Sequence, residues 1–110
     1  MIERRAHPRV EVCHPVLYFT DIYPRPKVAS TLDLSLGGTG IETPYDLIKG
    51  ERLEMSIAIR PQSIKCRGKT VYVLRPDNGR VKAGIEFEDL SEHDWLYLRQ
   101  YVAYVMENQA

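Results

Sequence analysis

Thr31-Leu32-Asp33-Leu34-Ser35-Leu36-Gly37-Gly38 alternates apolar and polar side chains and then stops at two glycines. Successive side chains of a strand point to opposite faces. Leu32, Leu34 and Leu36 are therefore expected to supply one face of a core. Asp33 and Ser35 fall on the other face, a carboxylate and a hydroxyl about 7 Å apart at strand rise. Gly37 and Gly38 end the strand where backbone can take positive φ or let another group approach closely.

The period of two recurs on both sides of this stretch. Val10 to Phe19 is rich in β-branched and aromatic residues and reads as a first strand, with an edge or bulge where Pro15 removes a donor. Lys27 to Leu36 is the second strand and Thr39 to Thr43 a short third. Glu51 to Arg60 places Leu53, Met55, Ile57 and Ile59 on one face. Ser63 to Arg75 continues as a long strand with a predicted bulge at Gly68. After the turn signal Pro76-Asp77-Asn78-Gly79, Arg80 to Glu88 alternates again and is expected to bury Val81, Ala83, Ile85 and Phe87. Six short strands with regular turns predict a closed or nearly closed antiparallel β-barrel, an all-β fold with one C-terminal helix. Ser91 starts that helix, with Asp94 three residues on in a capping-box-like arrangement. Trp95, Leu98, Val102 and Val105 form its apolar stripe, with Tyr97, Tyr101 and Tyr104 beside it.

A chain of 110 residues, 44% apolar and 27% charged, is expected to form one globular domain. It divides into an arm over 1–9, a barrel over 10–88 and a helix over 91–107. Formal charge is zero, so bulk charge predicts no polyanion partner. The distribution is uneven: Arg60 to Lys82 holds seven basic residues against one acid, and Glu86 to Asp94 holds five acids. Cys13 and Cys66 lack a pairing signature, and no run of about 18 apolar residues is present to span a bilayer. A reduced, cytoplasmic location is the expectation.

Glu3-Arg4-Arg5-Ala6-His7-Pro8-Arg9 sets Arg5 and Arg9 four apart with Arg4 beside them. Pro8 disfavours helix at His7, so the segment reads as an irregular arm. Guanidinium forks grip phosphate oxygens, pair with the O6/N7 edge of guanine and stack on rings. A carboxylate accepts from the N1–H and N2–H edge of guanine. Arginines together with Asp33 and Ser35 complement a ligand carrying both phosphate and guanine.

Arg5-x-x-x-Arg9 followed by Asp33-x-Ser35-x-x-Gly38 resembles the PilZ domain, a family of bacterial receptors for cyclic diguanylate. Ala83-Gly84-Ile85-Glu86-Phe87 looks like the family's closing strand. The resemblance covers essentially the whole chain and implies the same barrel and helix. It also implies that Arg5 and Arg9 hold phosphate and guanine, that Asp33 and Ser35 contact the base edge, and that Gly38 allows close approach, while the backbone around Gly37 and Gly38 is expected to add donors. Arg4 would stack on a base and favour an intercalated ligand pair. The chain would then be a non-catalytic, stand-alone receptor with cyclic diguanylate as ligand and no other cofactor. Its arm would fold over the barrel on binding, and the signal would pass to a partner protein or a second copy of the chain.

Two alternatives come from other classes. One is a degenerate module of the same fold that binds proteins and no nucleotide. The other is a small barrel that binds nucleic acid through Lys65, Arg67 and Lys69, although no aromatic residues interleave that row. His7, His14, His93, Cys13 and Cys66 lack zinc-site spacing, and no nucleophile elbow frames Ser35, so neither a metal centre nor an enzyme is expected.

Overall fold

The computed structural model describes residues 7–22 and 24–109. Arg4 and Arg5 lie outside the described residues. Six strands, β1 (Pro15–Thr20), β2 (Lys27–Leu34), β3 (Gly38–Thr43), β4 (Arg52–Ile59), β5 (Gln62–Leu74) and β6 (Val81–Leu90), precede one helix, α1 (Glu92–Asn108). The strands close into an antiparallel barrel in the order β1-β2-β3-β6-β5-β4, with β4 returning to β1. Closure leaves no unpaired ladder edge among these strands.

The clearest alternation gives the most regular element. In β4, Leu53, Met55, Ile57 and Ile59 are all buried, while Arg52 and Glu54 stand outside. Tyr18, Ile41, Ile64 and Ile85 meet them in the interior, and the Tyr18 hydroxyl is satisfied by Thr43 at 3.0 Å. Gly68 does sit at a register shift between β5 and β6.

β2 departs from the expected alternation. A shift in its register with β3 between Thr31 and Asp33 inserts Leu32 as an extra residue. Leu32 is 39% exposed, and Thr31 occupies the interior position at 1%. The Thr31 hydroxyl donates to the Val12 carbonyl at 2.5 Å and accepts from the His14 amide at 2.9 Å. Leu34 is fully buried, and Leu36 packs against the core from beyond the end of the strand.

The first strand is also shorter than predicted. Val10 makes an isolated bridge to Leu34, with amide–carbonyl distances of 2.9 Å in both directions. The ladder proper starts at Pro15, which has no N–H to give to a preceding pair. Thr31 supplies the partners for the intervening segment.

α1 begins as expected, with the Ser91 hydroxyl accepting from the Asp94 amide at 3.1 Å. Leu98 and Val102 are buried in the core cluster, so the helix closes the barrel end at which β2, β4 and β6 finish. Tyr97 donates its hydroxyl to the Ile59 carbonyl. Tyr101 joins the His14 ring, 2.6 Å between hydroxyl and Nε2. Two of the three tyrosines therefore anchor the helix, and Tyr104 is 64% exposed. No helix among the described residues is long and apolar enough to cross a membrane.

Candidate functional site

Among the described residues, Arg9, Asp33, Ser35, Gly37 and Gly38 lie together at the barrel rim that α1 closes. β2 ends at Leu34 and β3 begins at Gly38, so Ser35, Leu36 and Gly37 make the connection. The Ser35 amide donates to the Gly38 carbonyl at 2.9 Å. Its hydroxyl accepts from the amides of Gly37 and Gly38, each at 3.2 Å, and donates to the Gly38 carbonyl at 3.3 Å. Ser35 is buried at 6% and stitches its own turn, as serines in tight turns do. It does not stand on an outer strand face beside Asp33, because the strand ends before it.

Gly38 is the residue at which strand approach is tightest. A Cβ there would collide with the Ile85 carbonyl oxygen and lie 3.3 Å from the Glu86 Cα. The close neighbour of Gly38 is thus the backbone of β6. The contact is extended by the Phe87 amide, which donates to the Gly37 carbonyl at 2.9 Å.

Asp33 is the acceptor for two donors. Its Oδ1 takes the Gly40 amide at 2.8 Å, and Arg9 Nη1 lies 3.3 Å from Oδ1 and 3.4 Å from Oδ2. The pair is only partly exposed, which makes it stronger than a fully solvated ion pair. The Val10–Leu34 bridge fixes the backbone next to Arg9, so the arginine is held from both its chain and its tip.

A cavity of about 450 Å³ lies between this rim and the outer face of β6. Arg9, Ser35, Gly37 and Gly38 all line it, joined by His7 on the arm side and by Val71, Glu86 and Phe87 on the barrel side. Asp33 is not among its lining residues. Phe87, predicted as core, is half-buried: it packs against the core cluster and also borders this cavity. The contribution of Val71 and Glu86 depends on pairings between distant strands, chiefly Gly38 opposite Glu86. No local pattern marks either residue.

A larger groove of about 730 Å³ runs along the outer wall near Leu17, Phe19, Ser56 and Lys65. It contains none of the motif residues. In the basic row, Arg67 pairs with Glu54 at 3.4 Å and lies opposite Asp89 in the ladder, so acids interrupt the positive stripe. Among the described residues no group of three or more His, Cys, Asp or Glu side chains is placed to hold a metal ion. Cys66 is buried, and burial pushes its thiol up to about 12, so it is an inert core group.

Comparison with known proteins agrees with this architecture. A model of the PilZ domain matches residues 3–104. An uncharacterised protein of Aquifex aeolicus (strain VF5) is 30% identical over 109 residues, covering 98% of this chain and 51% of that protein. The chain therefore spans about half the length of this curated relative. Among solved structures, the PilZ domain of YcgR from Escherichia coli with c-di-GMP superposes with a TM-score of 0.77 at 14% identity, covering 97% of this chain and 95% of that one. The Bacillus subtilis inhibitor of motility MotI/DgrA gives a TM-score of 0.81 at 18% identity, over 98% of this chain and 52% of the other. The K. pneumonia MrkH–c-di-GMP complex gives 0.80 at 13% identity, over 98% and 54%. With the family model matched over nearly its whole length and the barrel closed in the same way, the chain belongs to the PilZ family.

Proposed function

We propose that this chain is a receptor for cyclic diguanylate that binds the ligand at the Ser35–Gly38 rim and passes the signal to another protein surface. One observation carries the reading: Arg9 from the N-terminal segment and Ser35, Gly37 and Gly38 from the turn after β2 line a single cavity in a PilZ chain. Its volume of about 450 Å³ falls within the roughly 300–1,000 Å³ of small-ligand sites. Two of the structural neighbours, the PilZ domain of YcgR and MrkH, were solved with the same nucleotide bound.

The assigned roles follow from chemistry. Arg9, with Arg4 and Arg5 from the arm, supplies guanidinium donors for phosphate and base. Asp33 keeps Arg9 in place, and Ser35 holds the turn whose Gly37 and Gly38 border the cavity. Charge-assisted hydrogen bonds contribute roughly 1.5–3 kcal/mol each. Micromolar affinity takes about 8 kcal/mol. Three arginines together with ring contacts meet that figure, and losing one should be felt strongly.

Calorimetric titration with cyclic diguanylate tests the proposal and gives the stoichiometry. The expected result is saturable binding that falls at least about tenfold in Arg5→Ala and in Arg9→Ala, the loss of one charge-assisted contact. An isotherm without heat at any attainable concentration, confirmed by a second method, would show that the cavity serves something else. Two nucleotides per chain would support the stacking role of Arg4, and one would count against it.

A further inference from the structure

We propose that the barrel end opposite the nucleotide rim is a docking site for a short acidic peptide segment of a partner protein. The segment would seat one apolar side chain among Ile22, Tyr45 and Ile48 and set its carboxylates against Arg25 and Lys27. This inference goes beyond the receptor reading and stands independently of the nucleotide.

The loops that follow β1, β3 and β5 gather at that end, while α1 closes the other. Between the first two loops lies a cleft of about 540 Å³. It shares no lining residue with the cavity of Arg9, Ser35, Gly37 and Gly38. Its walls are apolar although they are loop: Ile22 is 64% exposed, Ile48 56% and Tyr45 42%, with Pro26 beside them. Apolar side chains gathered around one exposed concavity mark an interaction site.

The wall that carries Tyr45 and Ile48 is fastened before any partner arrives. Leu47, between them, is buried in the core at 1%. Arg75, just past β5, donates to the Asp46 carboxylate at 2.8 Å and to the Leu47 carbonyl at 2.7 Å. Glu51 accepts the Ile48 amide at 3.1 Å. A wall tied down in this way costs a partner little ordering.

Charge selects the partner. Arg25 and Lys27 line the cleft together with Asp46 and Glu51, and Arg75 pairs with Asp46. The Lys27 ammonium lies 5.6 Å from the centroid of the Tyr45 ring, which keeps a positive charge over the apolar floor. Arg25 is exposed and makes no ion pair among the described residues, and the exposed Lys49 directly follows Ile48. The surplus is cationic, so the hollow complements an apolar side chain flanked by carboxylates. Its concavity suits a peptide better than a bilayer, whose anionic headgroups would also meet Asp46 and Glu51.

Selection of displayed random short peptides on the full chain, followed by titration of the enriched ones, tests the proposal. The enriched peptides should carry acidic residues around one large apolar residue. On binding they should shift the backbone amide resonances of Ile22, Arg25 and Ile48 and leave those of Gly37 and Gly38 in place. Arg25→Glu and Ile48→Ser, both surface changes, should each weaken the best peptide by about tenfold or more. Lys65→Glu, on the outer wall of β5, should leave it unchanged. Enriched peptides that are basic or uncharged, or whose affinity survives Arg25→Glu or falls equally in Lys65→Glu, overturn the proposal. Arg25-dependent binding to phosphatidylserine-containing vesicles with no peptide enriched would overturn it in favour of a membrane. Self-association lost in Arg25→Glu would overturn it in favour of a second copy. Cyclic diguanylate titration is a separate readout: absence of nucleotide heat sinks the receptor reading alone, and absence of enriched acidic peptides sinks the docking cleft alone.

Discussion

Gly38 shows what a single missing side chain achieves. β6 approaches so closely that the Ile85 carbonyl occupies the space a Cβ would need, and the obstacle is backbone, which cannot swing aside. Gly38→Ala should therefore part β3 from β6 at the rim, at a cost of about 1–3 kcal/mol typical of overpacking. Chemical denaturation at fixed temperature would measure it, and an unchanged midpoint would mean that the rim relaxes freely. The importance of this position was legible in the chain because two glycines after an alternating strand mark a place where backbone needs room. The group that takes up that room was not legible, since it lies 47 positions away, across a strand pairing that no local pattern encodes. The same holds for Glu86: one acid among five between Glu86 and Asp94, it becomes distinctive only once the ladder sets it opposite Gly38. Arg9 and Asp33 were legible as two groups suited to one ligand, but not as partners of each other, since nothing local places the arginine 24 positions upstream against that carboxylate.

Among the elements, β4 and α1 follow their sequence patterns closely, because one face of each is uniformly apolar and nothing competes with it. β2 does not. Three leucines in alternation argue for a single register, yet the bulge turns Leu32 outward, and Thr31, with its hydroxyl, replaces it inside. The segment ahead of β1 explains the exchange: its carbonyl at Val12 and amide at His14 need partners, and Thr31 supplies both. His14 then ties that segment to α1 through Tyr101. Burial holds the His14 pKa below its usual 6.5, so the folded protein favours the neutral ring. The unfolded chain then binds more protons in the window below 6.5, and stability is full above that pH and declines as pH falls through it. Between about pH 7.5 and pH 5.5, the melting temperature of the wild-type protein should drop more than that of His14→Gln, which cannot titrate. Parallel curves for the two proteins would show that His14 protonates without consequence for the fold.

At the scale of the whole molecule, a barrel this small needs a stopper. Leu98 is fully buried although it belongs to a helix whose outer side is solvated, and Val102 follows it one turn later. Leu98→Ala should cost about 2–5 kcal/mol, the range for a buried leucine that leaves a cavity. Thermal unfolding would show a single transition at lower temperature if helix and barrel share one core. A separate early transition would mean that the helix melts off alone. The number of strands and the helix were readable from periodicity and caps. Closure was less so, because the pairing of β1 with β4 joins strands that are not neighbours in the chain, and a meander with two open edges has the same local signals.

The barrel wall is a hoop without a seam, and this decides where mechanical work can appear. A hoop whose staves are all bonded on both sides resists being pried apart. Two pieces are attached to the hoop without being staves of it: the strap from His7 to His14 and the helical stopper, clasped to each other by the hydrogen bond between His14 and Tyr101. Whatever tugs on the strap tugs on that clasp, and beyond it the far side of the stopper carries Leu96, Tyr104 and Met106 into solvent.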